Sequence, residues 1–170
     1  PMIFGLMPFH PGQTAITSLA LAASKLTTYL TIPAEKATEK LWDYYSNLLI
    51  HLKPDEIQKY RDIVEWATII EFDPSENQIK GIALAREINP NVLTVINVPI
   101  SKNVERKILK LARGGAETIH LGADIHGRGK DGTTLLESLQ TSHSLLVEEG
   151  LRDRVTLVAS GGIAAAEHVP

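Results

Sequence analysis

The sequence predicts an α/β fold of the (β/α)8 TIM-barrel type, incomplete, with about six βα units. Short apolar runs alternate with amphipathic stretches, and the runs are apolar on both faces. Parallel strands joined by crossover helices produce this pattern. The chain has 170 residues, whereas a complete barrel needs about 250. We therefore predict one partial barrel domain over residues 1–170, with an open doubly wound sheet as the alternative closure.

Each predicted strand is a short apolar or β-branched run. The sequence VLTVINV is the strongest strand signal, and the apolar run MIFGLM opens the chain. The predicted strands, in chain order, are residues 2–7, 28–32, 68–72, 92–98, 117–121 and 155–159.

Helical spacing of apolar residues, together with capping residues and glycine or proline stops, places helices between these strands. Thr14 and Ser101 are predicted N-caps, and Pro54 opens a helix within its first turn. Leu41 and Leu52 belong to one apolar stripe of a long predicted helix. The predicted helices are residues 14–26, 34–52, 54–66, 77–87, 101–113 and 133–149.

Composition excludes several classes of function. Lys and Arg total 17 against 20 for Asp and Glu, so the net charge of −3 argues against nucleic-acid and anionic-membrane partners. The absence of cysteine excludes disulfides, thiolate zinc sites, a cysteine nucleophile and an iron–sulfur cluster ligated within this chain. No apolar run approaches the ~18–20 residues of a membrane span, and we expect a cytoplasmic protein. Because the chain begins with Pro1 and ends at Pro170, we also expect a fragment of a longer product.

Ligands bind at the carboxyl ends of the strands in either closure. Gly161-Gly162 follows the last predicted strand, and glycines there let backbone N–H groups approach a phosphate. A tight turn without a ligand is the alternative interpretation. The sequence Gly127-Arg128-Gly129-Lys130 is basic and glycine-rich, which suits either an anion clamp or a plain surface loop.

Several titratable residues are candidates for chemistry. Asp124 and His126 lie close together in one loop and could form an acid/base or metal pair. Glu71 lies inside a buried strand, so it needs a partner such as Lys or Arg, or it is a pocket carboxylate. His120 is expected to be a satisfied residue inside a strand, and His51 is expected at a solvated helix end.

Residues 104–169 resemble the FMN-binding, central barrel domain of glutamate synthases. The run LRDRV at 151–155, followed by a strand and the turn SGG at 160–162, is distinctive of that family. The segment ARGGAETI at 112–119 resembles its lead into a strand, and PMIFGLMPF with the later ALAA is similar to its opening. The resemblance implies a TIM-barrel flavoprotein of glutamate biosynthesis, in which FMN passes electrons to an imine or 2-oxo acid formed with ammonia.

The resemblance also implies which residues bind the cofactor. Ser160, Gly161 and Gly162 would hold the FMN phosphate, and Met7 and Pro8 would lie near the isoalloxazine ring. The full implied set is Met7, Pro8, Asn97, Gly122, Gly127, Gly129, Ser160, Gly161 and Gly162.

The chain departs from the family pattern at functional positions. Asn97 stands where the family has a lysine beside the flavin, and an amide lacks the charge that stabilises the reduced ring. The loop from Gly122 to Gly129, which would cover the flavin or substrate side, lacks the family's GGTG sequence.

Three functions follow as alternatives. The first is an FMN-dependent oxidoreductase of glutamate synthase type. The second is a non-catalytic barrel fragment that associates with copies of itself or with a partner domain that completes the barrel. The third is another phosphate-binding TIM-barrel enzyme.

Overall fold

The computed structural model describes residues 2–7 and 10–163, and the chain divides into two compact units, Pro1–Thr94 and Val95–Pro170. In both units parallel strands alternate with helices, as the apolar pattern predicts. The single domain over residues 1–170 stays a prediction.

The first unit contains three parallel strands in which β1 pairs with β2 and β2 pairs with β3. Its main elements are α1 (Gln13–Lys25), β1 (Leu30–Pro33), β2 (Leu48–Leu52), α2 (Arg61–Trp66), β3 (Ile69–Phe72) and α3 (Gln78–Ile88). Short 3-10 helices occupy Ala34–Lys36, Glu39–Asn47 and Pro54–Glu56.

The second unit is built in the same way. Its strands are β4 (Leu93–Pro99), which begins at the boundary between the units, β5 (Thr118–Gly122) and β6 (Thr156–Ser160). Strand β5 pairs in parallel with β4 and with β6. The helices α4 (Val104–Arg113) and α5 (Leu135–Glu148) follow β4 and β5.

The strands are buried on both faces, as parallel strands covered by helices are. Ile50, Ile70 and Phe72 are fully buried in the first unit, and Ile119 and Leu121 are fully buried in the second. Burial of each such side chain contributes about 1.5–3 kcal/mol. Because side chains alternate between the faces of a strand, the residues between these positions point to the opposite face, and that face includes the polar groups described below.

The first predicted strand is wrong. Residues 2–7 form a single parallel bridge, Phe4 with Leu30, in which Phe4 accepts from the N–H of Thr31 at 2.8 Å. Gly5 in the middle of the run has no side chain to pack, which weakens a strand.

The predicted helix over 34–52 is also wrong, because its last residues form β2. Leu48 and Ile50 are fully buried between β1 and β3, and this pairing outweighs the helical spacing of the leucines. The predicted helix over 54–66 is divided into a 3-10 turn and α2.

Two predicted caps are wrong as well. The N-cap of α1 is Gly12 rather than Thr14, and the N-cap of α4 is Asn103 rather than Ser101, with no side-chain cap at either position. Thr134 does cap α5, accepting from the N–H of Glu137 at 3.2 Å.

Candidate functional site

In the second unit, three polar side chains form a hydrogen-bonded chain across neighbouring strands. Asn97 on β4 is in register with His120 on β5, and the Asn97 Nδ2 lies 3.3 Å from the His120 Nδ1. On the other side, the His120 Nε2 lies 2.7 Å from the Ser160 Oγ at the end of β6. His120 therefore links two of the predicted cofactor residues, Asn97 and Ser160. The sequence predicts for this histidine only that its hydrogen bonds are satisfied inside a strand.

This chain of hydrogen bonds fixes the tautomer of His120. The Asn97 amide donates to Nδ1, so that nitrogen is an acceptor and the proton of a neutral ring lies on Nε2. Nε2 then donates to the Ser160 Oγ. With its oxygen accepting from His120, the Ser160 hydroxyl keeps its proton for donation to another group.

The turn after β6 is shaped by close backbone contacts. Gly161 has φ +101°, and a Cβ there would lie 2.5 Å from the Asp124 carbonyl oxygen and 2.6 Å from that of Ala123. Gly162 has φ +69°, and its Cβ would lie 2.7 Å from the backbone of Gly127. The packing of this turn against the loop after β5 by itself requires both glycines. Phosphate binding at this turn stays a prediction.

The loop after β5 is held by its own hydrogen bonds. The Asp124 Oδ1 accepts from the backbone N–H groups of His126 at 2.9 Å and Arg128 at 2.8 Å. The bond from Arg128 does most to hold the pKa of Asp124 below its usual range, and that from His126 adds to it. Asp124 thus pairs with the backbone of His126, and the predicted acid/base pair of the two side chains is not formed.

The remaining predicted cofactor residues differ in their surroundings. A Cβ on Gly129 would lie 2.5 Å from the Ile100 carbonyl oxygen, so this glycine lets the loops after β4 and β5 meet. Gly122 pairs with Ser160 in register and lies beside the Asn97 amide. Met7 belongs to the first unit, and Pro8 lies outside the described residues.

In the first unit, a histidine lies between two carboxylates. His51 on β2 is in register with Glu71 on β3, and Asp73 follows β3 on the same face. The distance from the His51 Nδ1 to the Glu71 Oε2 is 3.1 Å, and that from its Nε2 to the Asp73 Oδ1 is 2.6 Å. The Glu71 side chain is 4% exposed and that of Asp73 is 35% exposed, so the cluster runs from the interior to the surface.

The charges of this cluster favour an imidazolium. Ionised carboxylates only accept hydrogen bonds, so both ring nitrogens of His51 must donate. Burial by itself lowers the pKa of His51, but the hydrogen bond that the ring donates to Glu71 and the charges of Asp73 and Glu71 outweigh it and raise the pKa overall.

The cluster lies in the wall of a cleft at the carboxyl ends of β1, β2 and β3. This cleft has a volume of about 410 Å³ and is lined by Pro33, Glu35, His51, Leu52, Lys53, Glu56, Lys59, Tyr60 and Asp73. A second cleft of about 240 Å³ is also lined by Lys53 and Asp73. These two residues therefore face both clefts.

The sequence pattern predicts His51 at a solvated helix end and therefore does not indicate this site. The ring is instead 12% exposed and lies in a strand. The signal that identifies the strand is the apolar run LLIHL, which stops directly before Lys53-Pro54. The prediction that Glu71 needs a partner is confirmed, and His51 is one such partner.

The described residues contain no metal-ligating group and no membrane-spanning helix. Among residues 2–7 and 10–163, no group of three or more His, Asp or Glu side chains is arranged to hold a metal ion. Both ring nitrogens of His51 already face carboxylates. Within the described part of the chain, none of the helices is long and apolar enough to cross a bilayer.

Comparison with known proteins gives information on the fold. No family model matches the sequence, and no curated protein matches it. Among solved structures, the chain is similar to a mandelate racemase/muconate lactonizing enzyme from Roseiflexus sp., with a TM-score of 0.60 and 13% sequence identity. The match covers 96% of this chain and 48% of that one.

At this identity the likeness shows the fold alone. Together with the parallel strands and alternating helices, it confirms the predicted α/β fold of TIM-barrel type, incomplete. The match covers 48% of the solved chain, so this chain spans about half of that chain's length.

Proposed function

We propose that this chain is an FMN-binding barrel domain of glutamate synthase type. The observation that carries the proposal is the chain of hydrogen bonds from Asn97 through His120 to Ser160, at the carboxyl ends of β4, β5 and β6. Ligands of parallel α/β folds bind at such ends. The motifs LRDRV and SGG, which lead into and follow β6, support the same family.

The donor groups at this edge suit the polar edge of a flavin ring. Ser160 would donate its hydroxyl proton to a ring oxygen or nitrogen, since its oxygen already accepts from His120. Gly122 presents no side chain beside Asn97, so a flat ring could approach the amide. FMN, when bound, supplies hydride or electron transfer, and the protein's part is to bind and orient it.

Asn97 limits the chemistry that this domain would support. An amide donates a hydrogen bond but adds no positive charge, so it stabilises a reduced, anionic flavin less than a lysine does. The proposed substrates are an imine or 2-oxo acid and ammonia, and the proposed location is the cytoplasm. A second copy or a partner domain would supply the rest of the barrel, and an iron–sulfur cluster would have to be ligated outside this chain, which has no cysteine.

An FMN titration of the purified chain tests the proposal. We expect saturable quenching of flavin fluorescence. Replacing Ser160 by Ala should weaken binding by about tenfold, because one hydrogen bond to the flavin is lost. Thr156→Ala is the matched control, since Thr156 lies on the same face at the other end of β6 and should leave the affinity unchanged. Variants of Gly161 and Gly162 are unsuitable, because any side chain there meets the backbone of the loop after β5.

Two results would contradict the proposal. A folded chain that binds no FMN would favour the non-catalytic fragment, for which the glycines serve only the packing of the turn. Displacement of FMN by sugar phosphates but not by 2-oxo acids would favour another phosphate-binding barrel enzyme.

A further inference from the structure

The geometry points to a second ligand site in the first unit: the cleft in which Asp73 and Lys53 meet binds a small molecule that carries a hydroxyl group and an anionic group. This site lies outside the residues of the proposed flavin site and is independent of that function. Its basis is the arrangement of charged groups around His51.

Asp73 presents an acceptor to the cleft. Its Oδ1 is held by the His51 Nε2 at 2.6 Å, and no hydrogen bond within the described residues reaches its Oδ2. The side chain is 35% exposed and faces both clefts. This oxygen is therefore placed to accept a hydrogen bond from a ligand in the cleft.

The position of Asp73 is fixed by the surrounding backbone. Its N–H donates to the Leu52 carbonyl oxygen at 3.1 Å, and its own carbonyl oxygen accepts from the Gln78 Nε2 at 3.0 Å. Glu71, buried behind the ring, holds His51 in place. An acceptor fixed from three sides loses little freedom when a ligand binds, and this favours recognition.

Asp73 is placed to accept a hydrogen bond from a ligand. The His51 Nε2 already occupies its Oδ1 at 2.6 Å, which leaves Oδ2 as the acceptor that faces the cleft. The group proposed for this oxygen is an O–H, which donates without adding charge to a cleft where His51, Lys53 and Lys59 already face the carboxylates of Glu35, Glu56 and Asp73.

Lys53 supplies the anionic subsite. Its ammonium group takes part in no ion pair among the described residues, and it lines both clefts with Asp73. The other lysine of the cleft, Lys59, is placed over the ring of Tyr60, with 4.6 Å from Nζ to the ring centroid. A carboxylate or a phosphate would satisfy Lys53 equally, and the volume of about 410 Å³ fits a small ligand of either kind.

Titrations followed by ¹H–¹⁵N NMR test the inference with four probes. Glycerate and sn-glycerol 3-phosphate carry both groups, whereas glycerol lacks the anion and inorganic phosphate lacks the carbon-bound hydroxyl. We expect one of the first two to bind at least about tenfold more tightly than glycerol and phosphate. Whichever binds identifies the anion as a carboxylate or a phosphate.

Variants locate the binding. Asp73→Asn keeps the shape and removes the charge, and Lys53→Met removes the ammonium group. Each should weaken binding by about tenfold. Asp62→Asn and Lys80→Met are matched controls on α2 and α3, outside both clefts, and should bind as the wild type does. If Asp73→Asn does not fold, Lys53→Met still provides the test.

Three results would overturn the inference: no binding of any probe, phosphate or glycerol binding as tightly as the two-group probes, or wild-type affinity in both cleft variants. None of them bears on the FMN titration, which reports on residues of the second unit.

Discussion

The two units place a histidine at equivalent positions, inside a strand and in register with a polar residue of the neighbouring strand, but they surround it differently. His51 lies between two carboxylates, which raise its pKa and favour the charged ring. His120 lies between an amide that donates to its Nδ1 and a serine hydroxyl at its Nε2. The first arrangement depends on charge. The second depends on hydrogen-bond direction and on the glycine contacts that bring the adjoining loops together. The same residue type can therefore serve an ionic site or a neutral donor site according to its neighbours.

The largest expected difference in stability between the two clusters follows from replacing the histidine of each. His51→Leu should lower the free energy of unfolding by about 3–5 kcal/mol, because the contacts of the ring with the buried Glu71 and with Asp73 are lost. His120→Leu should lower it by only about 1–2 kcal/mol, since neutral hydrogen bonds are lost. Urea denaturation of both variants measures the difference. Equal losses would mean that the charge of the first cluster has no special role in stability.

A smaller effect should come from the glycine contacts of the second unit. Gly161→Ala should destabilise the chain by about 2–3 kcal/mol, because its Cβ meets two carbonyl oxygens in addition to the strain of a positive φ. Gly150 is the control. It has φ +65° with open space around it, so Gly150→Ala should cost about 1 kcal/mol. Thermal unfolding compares the two variants. Similar shifts in Tm would show that the loop after β5 yields to the added methyl group.

The most modest effect is a dependence of stability on pH that only the first cluster produces. The pKa of His51 is raised above 6.5 in the folded chain, so its contribution is fully present below pH 6.5 and is lost as the pH rises through the folded value. Unfolding measured from pH 6 to pH 9 should show this loss in the wild type and in His120→Gln. It should be absent in His51→Gln. If the stability of His51→Gln still declined over this pH range, other titratable groups would be its cause.

The sequence predicted the second unit better than the first. The run over 92–98 and the run before Ser160 form β4 and β6 within about one residue, since apolar, β-branched runs bounded by polar turns favour strands. The run LLIHL was assigned to a helix, because leucines at helical spacing precede it and a short apolar run has no distinct period. Because of that one assignment, His51 is not predicted at the carboxyl ends of the strands, and the ionic cluster around it is not predicted either.

By itself the sequence determined the α/β class, the alternation of parallel strands and helices, and the requirement that Glu71 have a partner, because burial and periodicity are local properties of the chain. Only the tertiary structure decided that His51 lies against Glu71, through the register of β2 with β3. It also decided that Gly161 and Gly162 pack against the loop after β5 and that Asp124 binds backbone rather than the His126 ring. Register and loop contacts join residues far apart in sequence, and no local pattern encodes the distance between them.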